Sequence, residues 1–337
     1  MVKAGEREYW IDAVRSFACL CVITTHAPMP NHSSGQWVIP IVNYLAMGGA
    51  SILFFMISGA LVLYKEKPIL PFLRTRVTRI FLPMVIWTAI TLLLDVAGGE
   101  IGWRDFAGKM ALVPFVPQVG MYWFIYDVFG IYLLTPLLAS YLSRCSRRDV
   151  EFYLALWAVT LLLPYLQWID PRFAGLYDVS SGYLYHFSGY LGFALMGYYL
   201  RRYVRVSHVW IKGTVTIAVS LAFMFAVYAF TSVPHGIVQG RMAFNVGVIT
   251  VAYFLMFKHY RLSDTAKNVC YQFAQHSFGI YLVHLIVMRR MIWPLLQGYN
   301  IQYALQIPLI VGLTALLSYL LVHLLSRLPG SKYFIGL

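Results

Sequence analysis

The first apolar segment of the chain is YWIDAVRSFACLCVITTHAPM, residues 9 to 29. It is apolar enough to lie in a bilayer, yet it carries Asp12, Arg15 and His26. An ionised side chain near the bilayer centre costs about 2.5–3.5 kcal/mol on insertion scales, so such residues usually have a function. If the segment is a helix, the eleven steps from Arg15 to His26 turn it about 20° past three full turns. Both side chains then share one face, and Asp12 is predicted to pair with Arg15.

This polar stripe has two interpretations. In the first, Asp12 and Arg15 form an ion pair at one helix end, while His26 meets water at the far interface. In the second, the carboxylate, guanidinium and imidazole line an internal site, with roughly 16 Å along the axis between Arg15 and His26. The other segments of the chain bear on this choice.

The composition of the 337 residues is that of a membrane protein. Hydrophobic residues make up 60% and charged residues only 12%, which lies outside the range of soluble domains. Apolar runs recur along the whole length, so we predict an all-α, polytopic helix bundle with a single domain over residues 1–337 and no separate soluble domain. The four cysteines show no metal-binding spacing, and we expect no metal.

About ten transmembrane spans are predicted, each near 20 residues and bounded by Gly, Pro or charged residues. The formal net charge of +13 could indicate a nucleic-acid partner, but basic cytoplasmic loops of a membrane protein also explain it. We therefore expect membrane lipids, and no nucleic acid, as partners. With the N-terminus inside, predicted cytoplasmic segments, Lys3 included, hold nineteen of the 26 basic residues and outer segments hold six. This asymmetry predicts an N-in, C-in topology. The spans are 9–29, 39–63, 78–97, 122–141, 151–168, 183–200, 209–231, 241–258, 270–290 and 303–326.

Two motifs follow the first segment. The second span contains FFMISG, residues 54–59, in which small residues favour close helix packing and Ser58 could instead serve as a nucleophile. The third span opens near RTRVTR, which contains Arg74, Arg76 and Arg79. Guanidinium groups suit phosphate oxygens, although the same charges could set the topology or contact lipid headgroups.

Two further motifs lie in later spans. Trp123 belongs to a YWF triplet, which is typical of an aromatic belt at the membrane interface. The ninth span carries SFGIYLVH, in which Tyr281 and His284 are three residues apart and share a helix face. Each of these side chains could be a hydrogen-bonded packing residue or could line a cavity.

The motifs occur in a recognisable order, as Arg15-x10-His26, FFMISG, RVTR, YWF and SFGIYLVH. In this order they resemble the acyltransferase-3 family of membrane acyltransferases over nearly the full length. Family members often have Leu-Arg-Gly where this chain has Val14-Arg15-Ser16. Some continue into an extracellular hydrolase-like domain, which we do not expect here.

The resemblance implies acyl transfer from a coenzyme A thioester, most simply acetyl-CoA, to a hydroxyl of a bacterial glycan or lipid-linked glycan. It implies a location in the bacterial inner membrane. His26 would be the general base, with an acyl-histidine intermediate as an alternative, and Arg15, held by Asp12, would stabilise or position the donor. The phosphates of the donor would bind Arg74, Arg76 and Arg79, while Ser58, Trp123, Tyr281 and His284 would line the substrate cavity.

A different class of function is also consistent with charges inside the membrane. A proton-coupled transporter or a polysaccharide-export component would use them as a proton relay. The sequence has no internal repeat of the kind common in transporters, which favours the enzyme.

Overall fold

The computed structural model describes residues 7–28, 38–178, 182–299 and 301–336. In these ranges every regular element is helical and no strand occurs, which confirms the all-α prediction. Lys3 and Met29, which the predicted topology uses, lie outside the described residues. The α-helices are α1 (Tyr9–His26), α2 (Val38–Gly49), α3 (Ser51–Val62), α4 (Ile69–Arg76), α5 (Leu82–Ala97), α6 (Trp103–Leu112), α7 (Trp123–Arg144), α8 (Arg147–Thr160), α9 (Leu163–Ile169), α10 (Leu191–Tyr203), α11 (Val209–Phe230), α12 (His235–Val238), α13 (Phe244–Lys258), α14 (Asp264–Val287), α15 (Trp293–Leu296) and α16 (Tyr303–Ser326).

Seven helical stretches in the described part of the chain are long and apolar enough to cross a membrane. They confirm a polytopic helical membrane protein, but the predicted number of ten spans is not confirmed. The stretches are Val38–Val62, Ile69–Ala97, Gly120–Arg144, Arg147–Ile169, Val209–Phe230, Asp264–Leu296 and Ala304–Ser326.

The remaining three predicted spans correspond to helices that are too short or too polar for this set. Helix α1 has 18 residues, and its ionisable side chains lower its mean hydropathy. Helix α13 has 15 residues and α10 only 13. At 1.5 Å per residue α10 is about 20 Å long, which is less than the roughly 30 Å of a bilayer core. The sixth predicted span begins at residue 183, whereas the structure forms turns and a 3-10 helix at Tyr185–Phe187 before α10 begins.

Two of the long stretches contain a π-helical turn. Val77–Phe81 joins α4 to α5, and Met288–Ile292 joins α14 to α15. π-helical turns are rare in proteins as a whole, and those that occur are often found at functional sites. Because the stretch Ile69–Ala97 begins nine residues before the predicted start of the third span, the arginines of RTRVTR lie on a helix and not in a loop.

The chain divides into two compact units, and α1, α7 and α14 each contribute residues to both. In the first unit α3 and α10 pack backbone to backbone. A Cβ atom on Gly59 would collide with the backbone of Ala194, and one on Gly197 would collide with the backbone of Met56. The final glycine of FFMISG is therefore needed for helix contact, as expected for small residues between membrane helices.

In the second unit the C-terminal segment packs against the helical stretch Ile69–Ala97. Trp87 on α5 donates its indole N–H to the carbonyl of Phe334 at 2.7 Å. Gly336, with a φ of 78°, lies against the carbonyl of Arg79 and the ring of Phe278. A side chain at this position would clash with both neighbours and would also strain the backbone. The C-terminal segment therefore braces the π-helical turn that carries Arg79.

Candidate active site

Helix α1 carries all three ionisable residues of the first segment. It runs from Tyr9 to His26 without interruption, so Arg15 and His26 lie eleven residues apart on one helix, as predicted. Asp12 is buried, with 4% of its surface exposed, whereas Arg15 and His26 are half-buried. The helix therefore holds the stripe in the predicted order from carboxylate to imidazole.

The buried carboxylate of Asp12 has a partner that the sequence analysis did not consider. Arg7 binds both of its oxygens, with Nε at 2.8 Å from Oδ2 and Nη2 at 3.1 Å from Oδ1. The guanidinium of Arg7 also lies 3.9 Å from the ring centroid of Tyr271. Hydrogen bonding to Asp12 raises the pKa of Arg7, so this group stays charged. Arg7 precedes α1, so helical spacing could not predict that it pairs with Asp12. The pairing of Asp12 with Arg15 stays a prediction.

Ser16 replaces the glycine that family members often have after the arginine. Its hydroxyl lies 2.9 Å from the carbonyl oxygen of Asp12 and 3.1 Å from that of Cys270 on α14. The hydroxyl thus links α1 to α14 beside the buried carboxylate. In this chain the departure adds a polar contact between two helices and does not disturb the helix at Arg15.

In the second unit, His26 packs against His284. The two imidazole rings meet edge to face, with 5.2 Å between their centroids and 62° between their planes. They come from α1 and α14 and are separated by 258 positions in the sequence. The structure therefore joins the predicted base to a residue that the sequence could only nominate as a cavity-lining group.

The hydrogen bonding of His284 defines which of its nitrogens carries hydrogen. Nδ1 lies 2.7 Å from the carbonyl oxygen of Tyr281, which can only accept, so Nδ1 is the donor. Nε2 then presents a lone pair, and it is buried without a hydrogen-bond partner. His284 itself is 0% exposed. Most buried acceptors have a hydrogen-bond partner, so this lone pair beside a second imidazole requires an explanation.

Tyrosine hydroxyls hold α14 against the start of α7. Tyr122 donates to the carbonyl of Leu282 at 2.8 Å, and Tyr281 donates to the carbonyl of Met121. Both tyrosines are buried, so these bonds are shielded from water. They fix the turn of α14 that carries His284. The neighbouring Trp123 is half-buried and contacts Phe124 edge to face.

The three arginines of RTRVTR lie on α4 and the π-helical turn that follows it. Arg74 and Arg79 are exposed, and Arg76 is half-buried. The guanidinium of Arg76 lies 4.9 Å from the ring centroid of Phe72 and 4.7 Å from that of Tyr132. Within the described ranges none of the three arginines forms an ion pair. They form a positively charged group that is available to an anion.

The residues predicted to line the cavity divide between the two units. Ser58 is half-buried on α3 in the first unit, whereas Trp123, Tyr281 and His284 belong to the second.

A metal site is not found, because no group of three or more His, Cys, Asp or Glu side chains able to hold an ion occurs among the described residues.

The family model described as an acyltransferase domain matches residues 8–323. The chain belongs to the acyltransferase-3 family. Members of the family are acyltransferases, so this protein is a membrane acyltransferase, and the matched range contains every predicted site residue. No curated protein and no solved structure matches the chain.

Proposed function

We propose that this acyltransferase moves an acetyl group from acetyl-CoA to a hydroxyl of a surface polysaccharide, or of its lipid-linked precursor, in the bacterial inner membrane. Membership of the family supports acyl transfer. The finer assignment is supported by the segment WIDAVRSFACLCVITTH, which resembles the O-acetyltransferase that modifies enterobacterial common antigen. The transporter alternative is not proposed, since the family match is to acyltransferases.

The observation that carries the proposal is the contact between His26 and His284. His26 takes the proton of the acceptor hydroxyl while that oxygen attacks the thioester carbonyl. The new C–O bond forms, the C–S bond breaks, and protonated His26 returns the proton to the departing CoA thiolate. His284, whose ring centroid lies 5.2 Å from that of His26, is proposed to stabilise the imidazolium formed in this step through the lone pair on its Nε2.

Arg15 has a role in donor binding in this proposal. It lies roughly 16 Å from His26 along the helix axis, which is too far for both side chains to contact one reacting carbonyl. We therefore assign Arg15 to positioning the extended arm of the donor, with Asp12 and Arg7 nearby to fix the local charge. Ser58, Trp123 and Tyr281 are proposed to line the cavity.

Arg74, Arg76 and Arg79 are proposed to bind the phosphates of coenzyme A. Charge-assisted bonds from guanidinium groups to phosphate are among the stronger hydrogen bonds in proteins. The absence of ion pairs to these arginines, within the part of the chain that the structure describes, leaves their charge uncompensated. Stacking against two aromatic rings orders Arg76 before the donor arrives.

The proposed function is tested with the purified protein in lipid nanodiscs. We expect acetyl-CoA to raise its thermal stability, because a ligand that binds only the folded state stabilises it. In cells, deletion of the gene should remove ester-linked acetate from the envelope glycan, measured by mass spectrometry, and complementation should restore it. Absence of both acetyl-CoA binding and glycan acetylation would refute the proposal.

His284 is expected to act through His26 as a positioning residue. Leucine at this position fills a similar volume but has no lone pair. We therefore expect kcat for acyl transfer by His284→Leu to fall about tenfold, with little change in the KM for acetyl-CoA. Replacing it with glutamine restores an acceptor oxygen and should recover much of the rate. A purely structural role would instead predict that both variants lose rate in proportion to their thermal stability.

A further inference from the structure

The second unit contains a polar cleft whose charged residues take no part in the proposed proton transfer or in donor binding. It has a volume of about 400 Å³ and lies where α5, the 3-10 turn before α7 and the end of α14 meet. This volume is within the range of about 300–1,000 Å³ that is usual for small-molecule sites. Its polar and charged lining residues are Thr91, Asp95, Glu100, Gln118, Arg289 and Arg290.

The charges of this cleft balance. Arg290 binds Asp95 at 2.8 Å and Glu100 at 2.7 Å, so one guanidinium bridges two carboxylates. Arg289 is exposed and forms no ion pair within the described residues. Two acidic and two basic side chains therefore line the cleft, together with the hydroxyl of Thr91 and the side-chain amide of Gln118. Both arginines lie on the π-helical turn Met288–Ile292.

The cleft is adjacent to the histidine pair. Leu285, which lines it, directly follows His284 on α14. Met121, which also lines it, accepts the hydroxyl hydrogen of Tyr281, one turn before His284. A molecule bound in the cleft would therefore lie against the part of α14 that carries His284.

The cleft lies far from the arginines assigned to the donor. Arg79 and Asp95 are on the same helical stretch and are separated by sixteen residues, or roughly 24 Å at 1.5 Å per residue. The two sites also differ in charge, because carboxylates are part of the cleft and no carboxylate pairs with the arginine group in the described ranges. The cleft thus lacks the net positive charge that suits the phosphates of coenzyme A, whereas the arginine group has it.

We infer that this cleft binds the glycan acceptor, with carboxylate, guanidinium and amide groups hydrogen-bonded to sugar hydroxyls. A sugar hydroxyl both donates and accepts hydrogen bonds, so it suits a cleft that offers carboxylate acceptors and guanidinium donors together. The balanced charge fits a hydroxyl-rich segment that is not a polyanion. This inference rests on the proposed function and names the subsite of the second substrate.

The test uses Arg289→Gln and Glu100→Gln, singly and together, in cells that lack the native gene. Arg290 keeps its bond to Asp95 in both variants, so the fold is expected to persist. Ester-linked acetate on the cells' own envelope glycan is expected to fall at least tenfold in the double variant. Binding of acetyl-CoA to the purified variants, measured by calorimetry in nanodiscs, should stay within twofold of wild type.

The matched controls are Arg104→Gln, an exposed arginine outside the cleft, and Asp264→Asn, a surface carboxylate paired with Lys267. Both should leave glycan acetylation unchanged. Unchanged acetylation in the double variant would overturn the inference, as would a parallel loss of acetyl-CoA binding in protein that still inserts. If the wild-type protein neither binds acetyl-CoA nor acetylates glycan, the proposed function itself fails, and this result is distinct from a failure of the cleft.

Discussion

The variant His26→Ala is expected to lose acyl transfer by about 10²–10⁴-fold in kcat, which is the usual contribution of a positioned general base. This corresponds to about 3–5 kcal/mol of transition-state stabilisation. Without the imidazole, the acceptor hydroxyl attacks as a neutral nucleophile, and the buried acceptor on His284 does not replace the base because its hydrogen-bonded ring is fixed by Tyr281. The measurement is acetate transfer in membranes that contain equal amounts of inserted protein.

The control for this variant is His186→Ala. His186 is exposed in the first unit, and its ring contacts that of Tyr185 edge to face. We expect it to transfer acetate at the wild-type rate. Undiminished transfer by His26→Ala would remove this residue from the role of base. An acyl-histidine intermediate would be detected by native mass spectrometry of the wild-type protein immediately after mixing with acetyl-CoA, as an added acyl mass that is absent from His26→Ala.

The double variant Arg76→Gln with Arg79→Gln is expected to weaken acetyl-CoA binding by between about 10- and 100-fold. A hydrogen bond to a charged group contributes about 1.5–3 kcal/mol, and each 1.4 kcal/mol is tenfold in affinity. The lower part of this range reflects the exposure of Arg79, where water screens the interaction. Calorimetry with acetyl-CoA gives the dissociation constant directly.

Ionic strength and the identity of the cation provide two further readouts. Raising the salt concentration should weaken binding by the wild type more than by the double variant, because the charged contacts are screened. Arg76→Lys keeps the charge but loses the planar fork that stacks between Phe72 and Tyr132, so we expect an intermediate affinity.

The matched control removes the same charge elsewhere. Arg144→Gln with Arg148→Gln alters two exposed arginines that form no ion pair among the described residues. If this control weakens acetyl-CoA binding as much as the double variant at 76 and 79, the effect is one of net charge and not of a phosphate site. An unchanged dissociation constant in the variant at 76 and 79 would exclude both arginines from donor binding.

The hydrophobic pattern was sufficient to predict helices but not their limits. The stretch that contains the third predicted span begins at Ile69 because RTRVTR continues an apolar helix, although its charges suggested a loop. The sixth span begins late because residues 183–187 form a turn and a 3-10 helix, and Gly189, with a φ of 92°, adopts a non-helical conformation just before α10. Hydrophobic periodicity does not predict the two π-helical turns. A π-helical turn adds one residue to a helix without changing which residues are apolar.

The sequence by itself determined that this chain is a helical membrane protein with Arg15 and His26 on one helix. The reason is local: the length of apolar runs sets the spans, and the helical repeat sets which side chains share a face. Only the tertiary structure decided that Arg7 binds Asp12 and that His26 meets His284. It also placed Arg290 between Asp95 and Glu100. The histidine contact joins segments that are distant in the sequence, and the bond from Arg7 depends on the path of the chain before α1 begins. The spacing of residues along one helix predicts neither kind of contact.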